Sequence, residues 1–200
     1  MKWVLPFLVL ALAGCVNLDI GRDTPETTRY VLDDVRTEPV GKASAVDGRT
    51  LLVLDTVATH FYDTDNLAFS RAPGTRGYYQ FARWTERPGK RFGDLLRARL
   101  EAQGEFATIA TAGGHVRGEL LLDTELTEFY HDAQTAPGSV LVVLRAELVD
   151  LKSRSLLGRK QFERRVEAAS YDAAGAADGF NQAVSGIIDD LTAWLAMVKK

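Results

Sequence analysis

The chain has 200 residues, 46% hydrophobic and 26% charged, which suffices for one domain with a sizeable core. A formal net charge of −3, spread along the chain, offers no basic face of the kind nucleic-acid binding needs. A single cysteine excludes an internal disulfide.

The N-terminus reads as an export signal. Lys2 precedes an apolar run from Trp3 to Ala13, and small residues precede a break point. The run is too short for a membrane-spanning helix, which needs about 20 residues. Leu12-Ala13-Gly14-Cys15 resembles the lipobox of bacterial lipoproteins. The Cys15 thiol would accept diacylglycerol as a thioether, and Ala13 and Gly14 leave room for the signal peptidase. Residues 1–14 are thus expected to be removed, during export across the inner membrane of a Gram-negative-type bacterium. The mature chain would start at a Cys15 bearing diacylglycerol and an N-acyl chain, with no other cofactor. Several buried acyl chains, at about 0.8 kcal/mol per CH₂, make a stable anchor. Asp after the cysteine usually retains lipoproteins in the inner membrane. Val16 therefore favours the periplasmic face of the outer membrane.

Residues 15–26 read as lipidated terminus and tether, and residues 27–198 as one domain. Thr28 to Asp33 reads as a short strand, residues 38–48 as a loop, and Leu51 to Val57 as an apolar buried strand. Residues 59–77 read as a long irregular connection, with Asn66–Ser70 as a candidate strand. Tyr78 to Trp84 is an aromatic-rich strand. Residues 88–103 form a helix with Phe92, Leu95, Leu96 and Leu100 on one face. Arg91, Asp94, Arg97, Arg99 and Glu101 lie mostly elsewhere, and Gly104 stops the helix. A short strand from Phe106 follows. Three long strands over residues 116–168 alternate apolar and polar positions and form an antiparallel meander. A final helix over residues 176–198 carries Phe180, Val184, Ile187, Ile188, Leu191, Leu195 and Val198 at helical spacing. The expected fold is α/β: one mixed sheet with a C-terminal meander and two main packed helices.

No catalytic constellation emerges. His60, His115 and His131 each stand alone and read as loop or strand-end residues. Asp63-Thr64-Asp65-Asn66 lacks the Gly and distal Glu of a calcium loop. No Gly-x-Ser-x-Gly elbow occurs. No metal site and no enzymatic activity are expected. The aromatic strand stands out, because Tyr78, Tyr79, Phe81 and Trp84 cannot all face one side.

The order of these elements resembles the ABC-type transport auxiliary lipoproteins, the lipoprotein partners of MCE-domain lipid transport systems, including the paraquat-inducible type. Tyr30-Val31-Leu32-Asp33, Leu51 to Leu54, and Tyr79 to Pro88 carry the resemblance. So do Leu95 to Ala102 leading to Phe106, and the strand with Leu120, Leu122, Leu126, Glu128 and Phe129. It covers nearly the whole mature chain through order and spacing. The resemblance implies a non-enzymatic periplasmic role beside an MCE protein, its permease and its ATPase. The membrane is engaged through the lipid, and a homo-oligomer is compatible with the role. The partner-binding residues expected are Phe69, Arg71, Arg76, Tyr78, Tyr79, Arg83 and Trp84, because aromatic and Arg side chains dominate binding hot spots. A competing reading is a lipid carrier with an acyl-chain cavity between the sheet and residues 180–198.

Overall fold

The computed structural model describes residues 26–36 and 47–199. Cys15, the export signal, most of the tether and most of the loop expected at 38–48 lie outside the described residues.

In chain order the elements are β1 Thr28–Tyr30, β2 Asp47–Val53, β3 Val57–Ala58, β4 Asn66–Ser70 and β5 Gly77–Trp84. These are followed by α1 Pro88–Gln103, β6 Phe106–Thr111, β7 Leu120–Asp132, β8 Ser139–Asp150, β9 Ser155–Glu167 and α2 Ala173–Val198. The sheet is mixed, and β7 is its spine. One edge of β7 pairs antiparallel with β8, which pairs antiparallel with β9, completing the expected meander. The other edge takes three short strands in parallel: β2 at its start, β3 in its middle and β4 at its end. Beyond these, β6 flanks β2, and β5 then β1 flank β4.

The single strand expected from Leu51 to Val57 is therefore two strands. Leu54-Asp55-Thr56 interrupts them, and Leu54 still donates its N–H to the Leu122 carbonyl at 3.0 Å. The interruption brings Thr56 against Thr124, their buried hydroxyls 2.7 Å apart. The expected irregular connection is a turn, strand β4 and a second turn.

Both helices cover one sheet face. Helix α1 begins with Pro88 at its first position and ends where Gly104 adopts φ 65°, its N–H bonded to the Leu100 carbonyl. Helix α2 is capped by Asp172, whose carboxylate accepts from the Gly175 N–H at 2.9 Å. Beneath α2, Phe180 stacks on Phe129 with centroids 4.2 Å apart, and Trp84 meets Phe180 edge-on at 5.4 Å. The inward positions of the meander, Leu120, Leu122, Leu126, Val140, Val142, Leu144, Ala146 and Leu148, are fully buried as their alternation predicts.

The strand expected at Thr28–Asp33 ends at Tyr30, and residues 31–36 become a strap across α1 and α2. Leu32 is buried and its carbonyl accepts from Arg91 Nε at 2.8 Å. The Asp33 and Val35 N–H groups donate to Asn181 Oδ1 and Ser185 Oγ, each at 2.9 Å. Arg99, expected away from the core, is buried beneath the strap. Its guanidinium bonds Asp189 at 2.6 Å and also Asp34, and Arg36 pairs with Asp189 as well. Sequence periodicity hides this because both carboxylates come from distant elements. Arg99→Ala is expected to destabilise the domain by about 3 kcal/mol in denaturant titration, since it leaves Asp34 without its cation and Asp189 with Arg36 alone. A loss below about 1 kcal/mol would show the cluster to be solvated like a surface pair.

Candidate functional site

The β4–β5 hairpin carries every residue expected to bind a partner, and it is irregular where they lie. Asn66 pairs with Arg83 and Ala68 with Tyr78. Between these pairs β4 supplies only Leu67, while β5 supplies Tyr79, Gln80, Phe81 and Ala82. This wide bulge exposes backbone carbonyls, and Arg83 satisfies them. Its Nη1 donates to the Tyr79 and Ala82 carbonyls at 2.9 Å each and lies 3.5 Å from that of Gln80. Arg83 is thus turned onto its own strand, and the bulge pushes Phe81 outward, leaving it 40% exposed.

The hairpin presents a different cluster on each sheet face. The uncovered face holds Phe61, Tyr62, Arg76 and Tyr78 beside Glu128 and Tyr130. Tyr78 stacks on Phe61 at 4.6 Å and donates its hydroxyl to the Phe61 carbonyl at 2.8 Å. The Arg76 guanidinium lies 3.6 Å over the Tyr130 ring, donates to Tyr62 Oη at 3.0 Å and pairs with Glu128 at 3.1 Å. Burial, with Glu128 accepting from the Tyr62 hydroxyl, raises the Tyr62 pKa above the ordinary phenol value. Further along this face, Asp123, Glu125, Arg145, Glu147 and Arg159 line a charged groove of about 410 Å³.

The helix-covered face holds Phe69, Arg71, Tyr79 and Phe81. With Tyr30 of β1 and Ala173 of α2 they line a cleft of about 470 Å³. Arg71 lies over Phe69, 4.8 Å from its centroid, and Phe69 meets Tyr79 at 4.9 Å. At the back of the cleft Tyr79 Oη lies 2.7 Å from His131 Nδ1, and His131 Nε2 lies 3.0 Å from the Pro137 carbonyl. A carbonyl only accepts, so Nε2 carries the imidazole proton and Nδ1 accepts from the Tyr79 hydroxyl. Burial pushes the Tyr79 phenol up to about 12 and depresses the His131 pKa, against the opposing pull of the Pro137 carbonyl, Asp132 and Asp172. Gly138 closes over the ring with φ 83°, and a Cβ there would lie 2.4 Å from Nε2. This position tolerates no side chain.

The depressed His131 pKa has a sign. The unfolded histidine binds a proton near pH 6.5 and the folded one only at lower pH. The stabilisation is therefore present above pH 6.5 and is lost as pH falls from there through the folded value. Wild-type stability is expected to fall as pH drops below 6.5. His131→Gln, which keeps a donor toward Pro137, should flatten that slope in urea titrations. An unchanged slope would show that His131 is not the group responsible.

Not all of the residues expected to bind a partner are free to do so. Trp84 is 1% exposed, a core residue against Phe129 and Phe180, and changing it would disrupt the fold rather than an interface. Arg83 serves the bulge, and Tyr79 is half-buried on His131. Arg71, Arg76 and Tyr78 remain exposed, although the Arg76 side chain is partly covered in its pair with Glu128, and Phe69 is partly covered. Sequence reading noted Phe81 in the aromatic strand without including it among the partner-binding residues, and missed the packing partners Phe61, Tyr62 and His131. The one local hint of disrupted alternation on β7 was the adjacent pair Phe129-Tyr130, beside the bulge between Leu126 and Glu128.

The model of the ABC-type transport auxiliary lipoprotein component matches residues 30–192, which include every element from Tyr30 through most of α2. The chain belongs to this family. Among solved structures, a Xanthomonas campestris protein shares the fold with a TM-score of 0.76 at 22% identity, over 86% of this chain and 96% of that one. An uncharacterized protein follows with a TM-score of 0.66 at 11% identity, covering 85% of this chain and 99% of the other. A Chlamydia trachomatis hypothetical protein reaches a TM-score of 0.53 at 11% identity, over 76% and 98% of the two chains. These likenesses establish the fold. No curated protein sequence matches significantly. The auxiliary lipoprotein is accordingly an envelope protein anchored to a membrane and associated with an ABC transporter. No helix among its described residues is long and apolar enough to cross a membrane.

Proposed function

We propose that this auxiliary lipoprotein is a non-enzymatic component of an MCE-type ABC system that moves lipids or related hydrophobic molecules across the envelope. Diacylglycerol and an N-acyl chain on Cys15 hold it at the periplasmic face of the outer membrane. There it engages the MCE-domain protein, which works with a permease and an ATPase. The family match over residues 30–192 carries this reading.

The interior supports an interaction module over a lipid carrier. The side chains that would line an acyl-chain cavity under α2 are packed together. Phe180 stacks on Phe129, and a Cβ at Gly179 would lie 3.2 Å from Val140. The uncovered sheet face around Phe61, Arg76 and Tyr78 is the surface assigned to the MCE protein, because it carries the exposed Tyr78 ring stacked on Phe61 and, further along, a charged groove. Confinement to the membrane raises the local concentration, so a modest interface suffices.

Crosslinking of the full-length protein in native membranes, followed by recovery of the MCE protein, tests this. Tyr78→Ala is expected to lower recovery roughly tenfold, the effect of losing a moderate hot spot, with the melting temperature little changed. Full recovery from both Tyr78→Ala and Arg145→Glu variants would remove this face from the interaction. Substrate hydrolysis or lipid extraction by the isolated protein would overturn the non-enzymatic, non-carrier assignment.

A further inference from the structure

We infer that the cleft between the β5 bulge and the N-terminus of α2 is the face this protein sets against the phospholipid bilayer that anchors it, with Phe81 at the interface and Arg71 toward lipid phosphate. The inference rests on the anchored reading of Cys15 and adds an orientation to it.

The first observation is where the chain enters the domain. Glu26 leads directly into β1, which pairs with β5, and Tyr30 of β1 lines the cleft beside Phe81. Residues 16–25 separate Cys15 from Glu26. Fully extended, the eleven steps from Cys15 to Glu26 reach at most roughly 40 Å, and a random chain of that length averages about 18 Å. A domain of this size is about 40 Å across. The average reach is less than half the width of the domain and the greatest reach only equals it, which favours keeping the side on which β1 lies toward the bilayer.

The second observation is the chemistry found on that side. The cleft is walled by the rings of Tyr30, Phe69, Tyr79 and Phe81, with Arg71 at its rim. Phe81 projects on a bulge in which the Tyr79 and Ala82 carbonyls are already bonded to Arg83, so burying it in lipid leaves those two satisfied. Arg71 makes no ion pair among the described residues. Its guanidinium lies over Phe69, leaving its donors for an external acceptor. Aromatic rings with a polar edge, together with an Arg that reaches upward from them, suit the headgroup layer of a bilayer. Asp172 lies near the cleft but is committed to capping α2 and to the Ser170 hydroxyl. Tyr78 also lines this cleft, but its ring is stacked on Phe61 and its hydroxyl is bonded to the Phe61 carbonyl.

Full-length protein acylated on Cys15 has no other cysteine, so Phe81→Cys supplies one free thiol for a nitroxide, and Gln161→Cys on β9 supplies a control. Both are reconstituted into vesicles of phosphatidylethanolamine with phosphatidylglycerol as minor component. Collision rates with oxygen and with a water-soluble nickel chelate are then read by electron paramagnetic resonance. The label at 81 should gain oxygen accessibility and lose nickel accessibility relative to 161, and Arg71→Glu should return it toward the aqueous value. Equal, water-like accessibility at both positions overturns the proposal while leaving the anchor intact. So does protection of position 81 that requires a second copy or an added protein. Failure of the unlabelled protein to float with the vesicles overturns the anchor, and this orientation with it.

Discussion

Ile188→Asp is expected to abolish cooperative folding of the domain. Ile188 is fully buried on α2, within the row Phe180, Val184, Ile187, Leu191 and Leu195 that lies over the meander. A carboxylate there has no partner and either stays ionised in an apolar site or takes up a proton and remains unsatisfied. Each outcome costs several kcal/mol beyond the lost burial of the Ile side chain. That loss is comparable to the whole stability of a domain this size, about 5–15 kcal/mol. Thermal melts followed by circular dichroism should show no cooperative transition. Met197→Asp, on the same helix but 63% exposed, should melt within about 2 °C of wild type. An unaltered melting temperature for the Ile188 variant would mean that α2 presents another face to the sheet.

Cys15→Ser carries the second large effect. A serine hydroxyl is far less acidic and less nucleophilic than the thiol and cannot form the thioether, so neither acyl group would be added. The expected result is loss of palmitate labelling, accumulation of uncleaved precursor and release from the anchor. Normal acyl incorporation in this variant would disprove the lipidation site. Crosslinking both variants also separates the role of the anchor from that of the sheet face. If recovery of the MCE protein falls in Cys15→Ser as well as in Tyr78→Ala, the interaction needs the membrane as well as the aromatic face. If it falls in Tyr78→Ala alone, the interaction does not need the anchor.

Much of the architecture was legible before the structure. Pro88 and Gly104 bracket α1 because a fixed φ suits a helix start and a left-handed residue suits its end, both properties of the residue itself. The alternation of Leu120, Leu122, Thr124 and Leu126 identified the inward face of β7, and that of Val140 to Leu148 the inward face of β8. The candidate site was less legible. Its residues were found by type, but Trp84 went to the core, Arg83 to its own backbone and Phe81 to solvent. Period-two alternation fails across a bulge, and nothing in the residues 79–82 marks one.

The sequence by itself determined the features written in short stretches of covalent chain. These are the two amphipathic helices, the three long alternating strands and the family to which their order belongs. Only the tertiary structure decided which side chains meet. Arg99 is ion-paired because Asp34 and Asp189, 65 and 90 positions away, converge on it, and His131 is held in one tautomer because β5 and the loop before β8 reach it together. Periodicity follows from local backbone geometry, which every residue carries with it. Burial, protonation and exposure depend on neighbours that only the folded chain brings together.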